Sequence, residues 1–165
     1  LESNGVMDVL RCSVRSSNMD NKEKIIEQID SYYDSWFKMN SIYHDWAKRH
    51  SIDDTMLFVL YVIKNSVPYC TQNQICNKLF LPKQTISQIL LKLEKQGYIE
   101  KKIKAEDRRN KIITFTEKGN CFAIPILEKL KLAEIEAFSG ISYTHRVNII
   151  ENLAVLTHAL SKKFK

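Results

Sequence analysis

The chain has 165 residues, 44% of them hydrophobic and 27% charged, an ordinary globular composition at the size of one domain. That excludes a wholly disordered chain, and the longest apolar run, the eight residues from Met56 to Ile63, excludes a bilayer-crossing helix, which needs roughly 20. With only 4 Gly and 3 Pro, a loop-rich or many-turned all-β fold lacks its material, and the abundant Lys, Leu, Glu and Ile favour helices.

Residues 1–18 match no periodic pattern and are read as a leader or remnant without fixed structure, so the domain is taken as 19–165. From Lys22 to His50, Ile25, Ile29, Tyr32, Trp36, Met39 and Tyr43 recur at steps of three or four, predicting a long helix. Ile26, Tyr33, Phe37 and Trp46 widen the stripe beyond what a lone helix can leave in water. The rest of the chain or a second copy must cover it. Ser51 is expected to cap the next helix, with Asp53 and Asp54 in its first turn, where carboxylates suit the positive helix end. The segment Asp53 to Lys64 is apolar on nearly every side and should be buried.

Thr71 is placed to cap a short helix ending near Leu79, with Ile75 and Leu79 on one face. After a break at Phe80 and Leu81, Pro82 opens another helix at about 82–96, where its missing N–H does no harm. Ile86, Ile89, Leu90 and Leu93 turn inward, and Gly97 stops the helix. Alternation from Tyr98 to Lys104, a charged turn from Ala105 to Asn110 and a second apolar stretch from Lys111 to Phe115 read as a hairpin. Thr116 caps a long helix to about Phe138 with Pro125 in its interior, where a kink is expected, and Ser142 caps the last one. That helix carries Val147, Ile150, Leu153, Ala154, Thr157 and Leu160 in a seam near heptad spacing.

Charge is distributed unevenly over this plan. Residues 71–118 hold 11 Lys and Arg against 5 Asp and Glu, so the whole net charge of +6 lies in that stretch. A solvated face would explain such an excess, but so would a surface for nucleic acid. Two short helices followed by a two-stranded ribbon make a winged helix–turn–helix, and the major groove of B-DNA, about 12 Å wide, admits one helix. The N-terminal residues of that helix are Lys83, Gln84, Thr85, Ser87 and Gln88. Gln pairs with adenine, Lys donates to guanine, and a Thr methyl packs on the thymine methyl. The hairpin tip carries Asp107, Arg108 and Arg109, and Arg suits a narrow A·T-rich minor groove. Asp107 could hold Arg109 in a bidentate pair, although a solvated turn would look the same in sequence. Thr71, Gln72 and Lys92 complete the expected DNA-facing set.

Several stretches resemble the MarR family of transcriptional regulators. They are Thr71 to Leu79, Gln84-Thr85-Ile86-Ser87, Leu93 to Lys101, Asp107-Arg108-Arg109 and Phe115 to Gly119, with Gly140-Ile141-Ser142 matching more loosely. The resemblance implies a mainly α fold, a winged helix–turn–helix over 51–116 with its wing at about 98–115. Helices at 22–50 and 117–163 would form a homodimerisation layer. It implies an operator-binding regulator of double-stranded DNA, usually a repressor, often released by a small phenolic or lipophilic effector or by thiol oxidation. Thr85, Ser87 and Gln88 match its recognition-helix motif, and Arg109 its wing-tip arginine, with Asp107 as partner. Gln88 departs from the arginine often found there, which favours adenine over guanine.

Other readings remain open. A winged helix can serve as a protein–protein adaptor without DNA, and a thiol-based sensor of the same fold is a further alternative. Cys12, Cys70, Cys76 and Cys121 form no CxxC pair and read most simply as small hydrophobes of a cytoplasmic protein, since no secretory signal is present. His44, Asp45, His50, His145, Glu151 and His158 are metal-capable types without ligand spacing, so no metal or other cofactor is expected. The aromatics of the first helix could line an effector pocket or an interface, and nothing in the sequence chooses between them. No GxSxG, HExxH or Gly-rich phosphate loop is present, so no enzyme is expected.

Overall fold

A computed structural model describes the backbone over residues 4–104 and 107–164 and the side chains over 21–103 and 111–164. The chain divides into two compact units, Leu1–Asp54 and Thr55–Lys165. The first is dominated by helix α1, Asn4–Arg49. It begins well before the predicted Lys22 and takes in most of the segment that was expected to lack fixed structure. Ile25, Ile26, Ile29, Trp36, Phe37 and Met39 are exposed along it. Tyr33 stacks on Phe37 at 5.8 Å between ring centroids, so the aromatic stripe packs on itself while leaving its outer side open. Ser51 does not cap the next helix. It lies in a turn at φ 60°, with its N–H donating to Lys48 O.

The second unit is mainly α with one small sheet. Its elements are α2 (Asp54–Asn65), β1 (Cys70–Thr71), α3 (Gln72–Leu79), α4 (Lys83–Lys95), β2 (Ile99–Lys104), β3 (Asp107–Phe115), α5 (Glu117–Ser139) and α6 (Tyr143–Lys163). Strand order is β1-β3-β2, all antiparallel, with Ile99 opposite Phe115 and Lys101 opposite Ile113. Met56, Leu57, Val59, Leu60, Ile75, Ile86, Leu90, Leu93, Ile99 and Ile113 are buried, as the apolar periodicity requires. The two-residue β1 was not predicted. Its pairing, Cys70 with Ile113 and Thr71 with Ile112, joins the entry of α3 to the wing.

The punctuation is local chemistry. Thr71 forms a capping box, its hydroxyl accepting from Gln74 N–H while Gln74 Oε1 accepts from Thr71 N–H at 2.7 Å. Phe80 ends α3 in the left-handed region at φ 54°. Gly97 ends α4 at φ 73°, its N–H bonding Glu94 O and the following Tyr98 N–H bonding Leu93 O. That is a Schellman closure, which glycine makes without steric cost. Thr116 Oγ1 accepts from Gly119 N–H at 2.9 Å and donates to Gly97 O at 2.6 Å. One hydroxyl thus caps α5 and ties it to the end of α4. Gly119 is buried so closely on the wing that an added Cβ would lie 1.7 Å from Tyr98 O. Ser142 caps α6, and Arg146 clasps the turn before it by donating to Phe138 O and Ile141 O.

Candidate nucleic-acid interface

Helix α4 has two unlike faces. Ile86, Leu90 and Leu93 are fully buried and fix its rotation about its axis. Lys83, Gln84, Ser87, Gln88 and Lys92 are all exposed, and Thr85 is half-buried at the edge. Gln84, Gln88 and Lys92 follow one another at spacing four, so they form a single outward row about 12 Å long at 1.5 Å per residue. Two amide side chains and a cation in one row can donate and accept hydrogen bonds along a groove and neutralise a phosphate.

Helix α3 braces the start of that row. Gln72, half-buried, donates from Nε2 to Lys83 O at 3.0 Å and to Ser87 Oγ at 2.6 Å. Thr71 stands apart from the predicted set. It is 9% exposed, and its hydroxyl is committed to Gln74, whose Oε1 lies 3.0 Å away. Its side chain is the cap of α3.

The wing is joined to α4 by Lys101, which donates to Glu94 Oε2 at 2.6 Å, with 20% of the Lys101 side chain exposed. Sequence reading missed this link, because nothing in a helix-to-strand separation of seven residues signals it. On the other side of β2, Lys102 pairs with Glu100 at 2.5 Å, and this hydrogen bond holds the Glu100 carboxyl below the usual range. At the wing's base Tyr98 stacks on Phe122 at 4.2 Å, with the Lys118 ammonium 5.1 Å from the Tyr98 ring. The β3 backbone begins at Asp107, which pairs with Lys104, inside the segment expected as a turn from Ala105 to Asn110. Asp107, Arg108 and Arg109 are therefore on that strand by backbone, while the proposed Asp107–Arg109 side-chain pair lies outside the described residues.

The remaining candidates are scattered. Cys70 is buried, Cys76 half-buried and Cys121 exposed. Burial pushes the Cys70 thiol pKa up. Among the described residues no group of three His, Cys, Asp or Glu side chains is gathered to hold a metal, and no helix is long and apolar enough to cross a membrane. A cleft of about 560 Å³ opens between the end of α2 and α3, with Tyr61, Asn65, Gln74 and Lys78 on its walls.

Comparison with known proteins places the fold in a family. Residues 50–110 match the MarR family. The chain is 31% identical over 124 residues to the HTH-type transcriptional regulator SarZ of Staphylococcus haemolyticus, covering 74% of this chain and 79% of that protein. SarZ of Staphylococcus aureus is 27% identical over 113 residues, 67% of this chain and 73% of its own. Among solved structures, the MarR family regulator NMB1585 from Neisseria meningitidis superposes with a TM-score of 0.73 at 25% identity, covering 83% of this chain and 96% of that one. The fold is also that of S. aureus MepR in its DNA complex, with a TM-score of 0.64, 21% identity and coverage of 78% and 94%.

Proposed function

The chain belongs to the MarR family of transcriptional regulators, and on that premise we propose that it binds operator DNA as a homodimer and represses transcription until an effector releases it. One observation carries the reading. The outward row of α4 is polar and cationic while its inner face is fully buried, so the helix is fixed in rotation with hydrogen-bonding groups turned outward. Gln84, Gln88 and Ser87 are the base-reading candidates, and Lys83 and Lys92 the phosphate contacts. Arg108 and Arg109, on the wing strand by backbone, are the proposed minor-groove contacts.

Dimerisation is supported by what one chain leaves in water. Helix α6 has no buried residue, yet Ile149, Ile150, Leu153 and Val155 are exposed along it, and the α1 stripe is exposed as well. Such surface is expected to be covered by a second copy. Two recognition helices related by a two-fold axis then read inverted half-sites about one helical turn apart. A small phenolic or lipophilic effector is the proposed releasing agent, and a cytoplasmic location follows from a chromosomal target.

Half-site phasing tests the reading. DNA flanking the chain's own gene is bound in a gel shift, and insertion of about 5 bp between the half-sites, half a helical turn, weakens binding by at least tenfold. Binding that ignores this insertion contradicts a rigid two-fold reader. No shift of that DNA, even in dilute salt, would favour the adaptor reading.

A further inference from the structure

Resting on the DNA-binding reading, the geometry points to Gln72 as a specificity-determining residue that takes one acceptor position of the Ser87 hydroxyl and biases it toward donating to the duplex.

A serine hydroxyl is ordinarily ambivalent, with one proton to give and two lone pairs to accept. Within a helix it commonly spends its proton on the carbonyl four residues back. Ser31 and Ser35 do this here, donating to Glu27 O and Ser31 O, and Thr157 donates likewise to Leu153 O. Ser87 is different. The carbonyl four residues before it belongs to Lys83, which accepts the helical N–H of Ser87 itself and also the amide of Gln72 at 3.0 Å. Both lone pairs of that oxygen are engaged, so the usual internal acceptor is closed.

The orientation of the Gln72 amide is forced. A backbone carbonyl can only accept, so the atom facing Lys83 O must be the nitrogen. That same Nε2 lies 2.6 Å from Ser87 Oγ, and its second proton goes there. One of the two lone pairs of Ser87 Oγ is therefore already taken within the protein. Its own proton, with the usual helical carbonyl occupied, is left for a partner on the exposed face of α4.

An outward donor discriminates. On the major-groove edge guanine, adenine and thymine each offer an acceptor, whereas cytosine offers only its amino donor. A phosphate oxygen is also an acceptor. The shared chemistry is an acceptor on the duplex, and the disfavoured group is a cytosine amino group facing Ser87. A serine with both lone pairs open accepts from cytosine more readily and weakens this preference.

The test is selection of operators from a library randomised across the half-site, followed by equilibrium binding, for the native chain and for Gln72→Leu, Ser87→Ala and the double variant. The native chain is expected to disfavour cytosine about tenfold at one position per half-site, or, where the acceptor is phosphate, to lose about tenfold when one phosphate is replaced by methylphosphonate. In Gln72→Leu that preference shrinks to within about twofold. In the Ser87→Ala background, Gln72→Leu causes no further change, because its effect acts through the hydroxyl. Circular dichroism and melting confirm that the variants remain folded. Gln72→Leu retaining the full preference, or weakening binding equally in the Ser87→Ala background, overturns the inference and would make Gln72 a brace of α4 only. A native chain with neither a Ser87-dependent position nor a sensitive phosphate also overturns it. Failure of the native chain to bind any DNA defeats the operator reading itself, and is distinguishable because it appears before any variant is compared.

Discussion

Gly119 illustrates how a single residue places the wing. The carbonyl of Tyr98 occupies the space where a Cβ would stand, at 1.7 Å, and both groups are backbone, so neither can swing aside. Gly119→Ala should cost about 3 kcal/mol, lowering the melting temperature by roughly 6–12 °C for a chain of this size; a melt within 2 °C of the native chain would show that α5 can slide freely on the wing. The cysteines provide a second residue-scale expectation. Thiolate is the reactive form, and burial raises the Cys70 pKa, keeping it protonated at neutral pH. A maleimide at pH 7 should therefore label exposed Cys121 well before Cys70, as read by peptide mass spectrometry. Cys70 labelling first would revive a redox role for the site under β1. Thr71 shows where residue-level reading misplaced a role. Its capping chemistry was legible from the residue type and the apolar residues after it, and that same chemistry buries the hydroxyl that was counted toward the interface.

Elements were legible wherever a boundary is decided by neighbours in sequence. Thr116, Ser142 and Gly97 each stop or start a helix through bonds spanning three to five residues. Boundaries decided by distant partners were not. Strand β1 is only two residues long and exists because β3 pairs with it more than forty positions away. Strand β3 begins among charged residues that carry no apolar alternation, so its start read as turn. Helix α1 extends to Asn4 without an apolar stripe to announce it. The bond from Gln72 to Ser87 joins residues fifteen apart, and no periodicity signals a contact between the starts of two helices. The Thr116 hydroxyl offers a quantitative check at this scale. It caps α5 and bonds Gly97 O, so Thr116→Ala should cost about 1–2 kcal/mol in chemical denaturation. A loss below 0.3 kcal/mol would mean that water replaces both bonds.

The molecule as a whole concentrates charge in one stretch and apolar exposure in others. The net +6 falls within residues 71–118, the segment that contains α3, α4 and the wing. Exposed Ile, Leu, Phe and Trp side chains lie on α1, late α5 and α6. On the proposed reading, the apolar helices are for the copy and the charged stretch is for phosphate. Light scattering should give a mass twice the 19.3 kDa of one chain at micromolar concentration, and a persistent monomer there would leave the apolar helices without an occupant.

Salt-dependent operator binding is the most direct measurement. Each lysine or arginine seated on a phosphate releases counterions, so a dimer neutralising about 6–10 phosphates should lose 10³–10⁵ in affinity between 50 and 200 mM salt. In fluorescence anisotropy with labelled operator, replacing Lys92 by Ala should lower the slope of log affinity against log salt by about one for each lysine lost from the dimer. Saturable binding with that steep slope is the expected result. No saturable binding at 50 mM salt, or an affinity indifferent to salt, would contradict it.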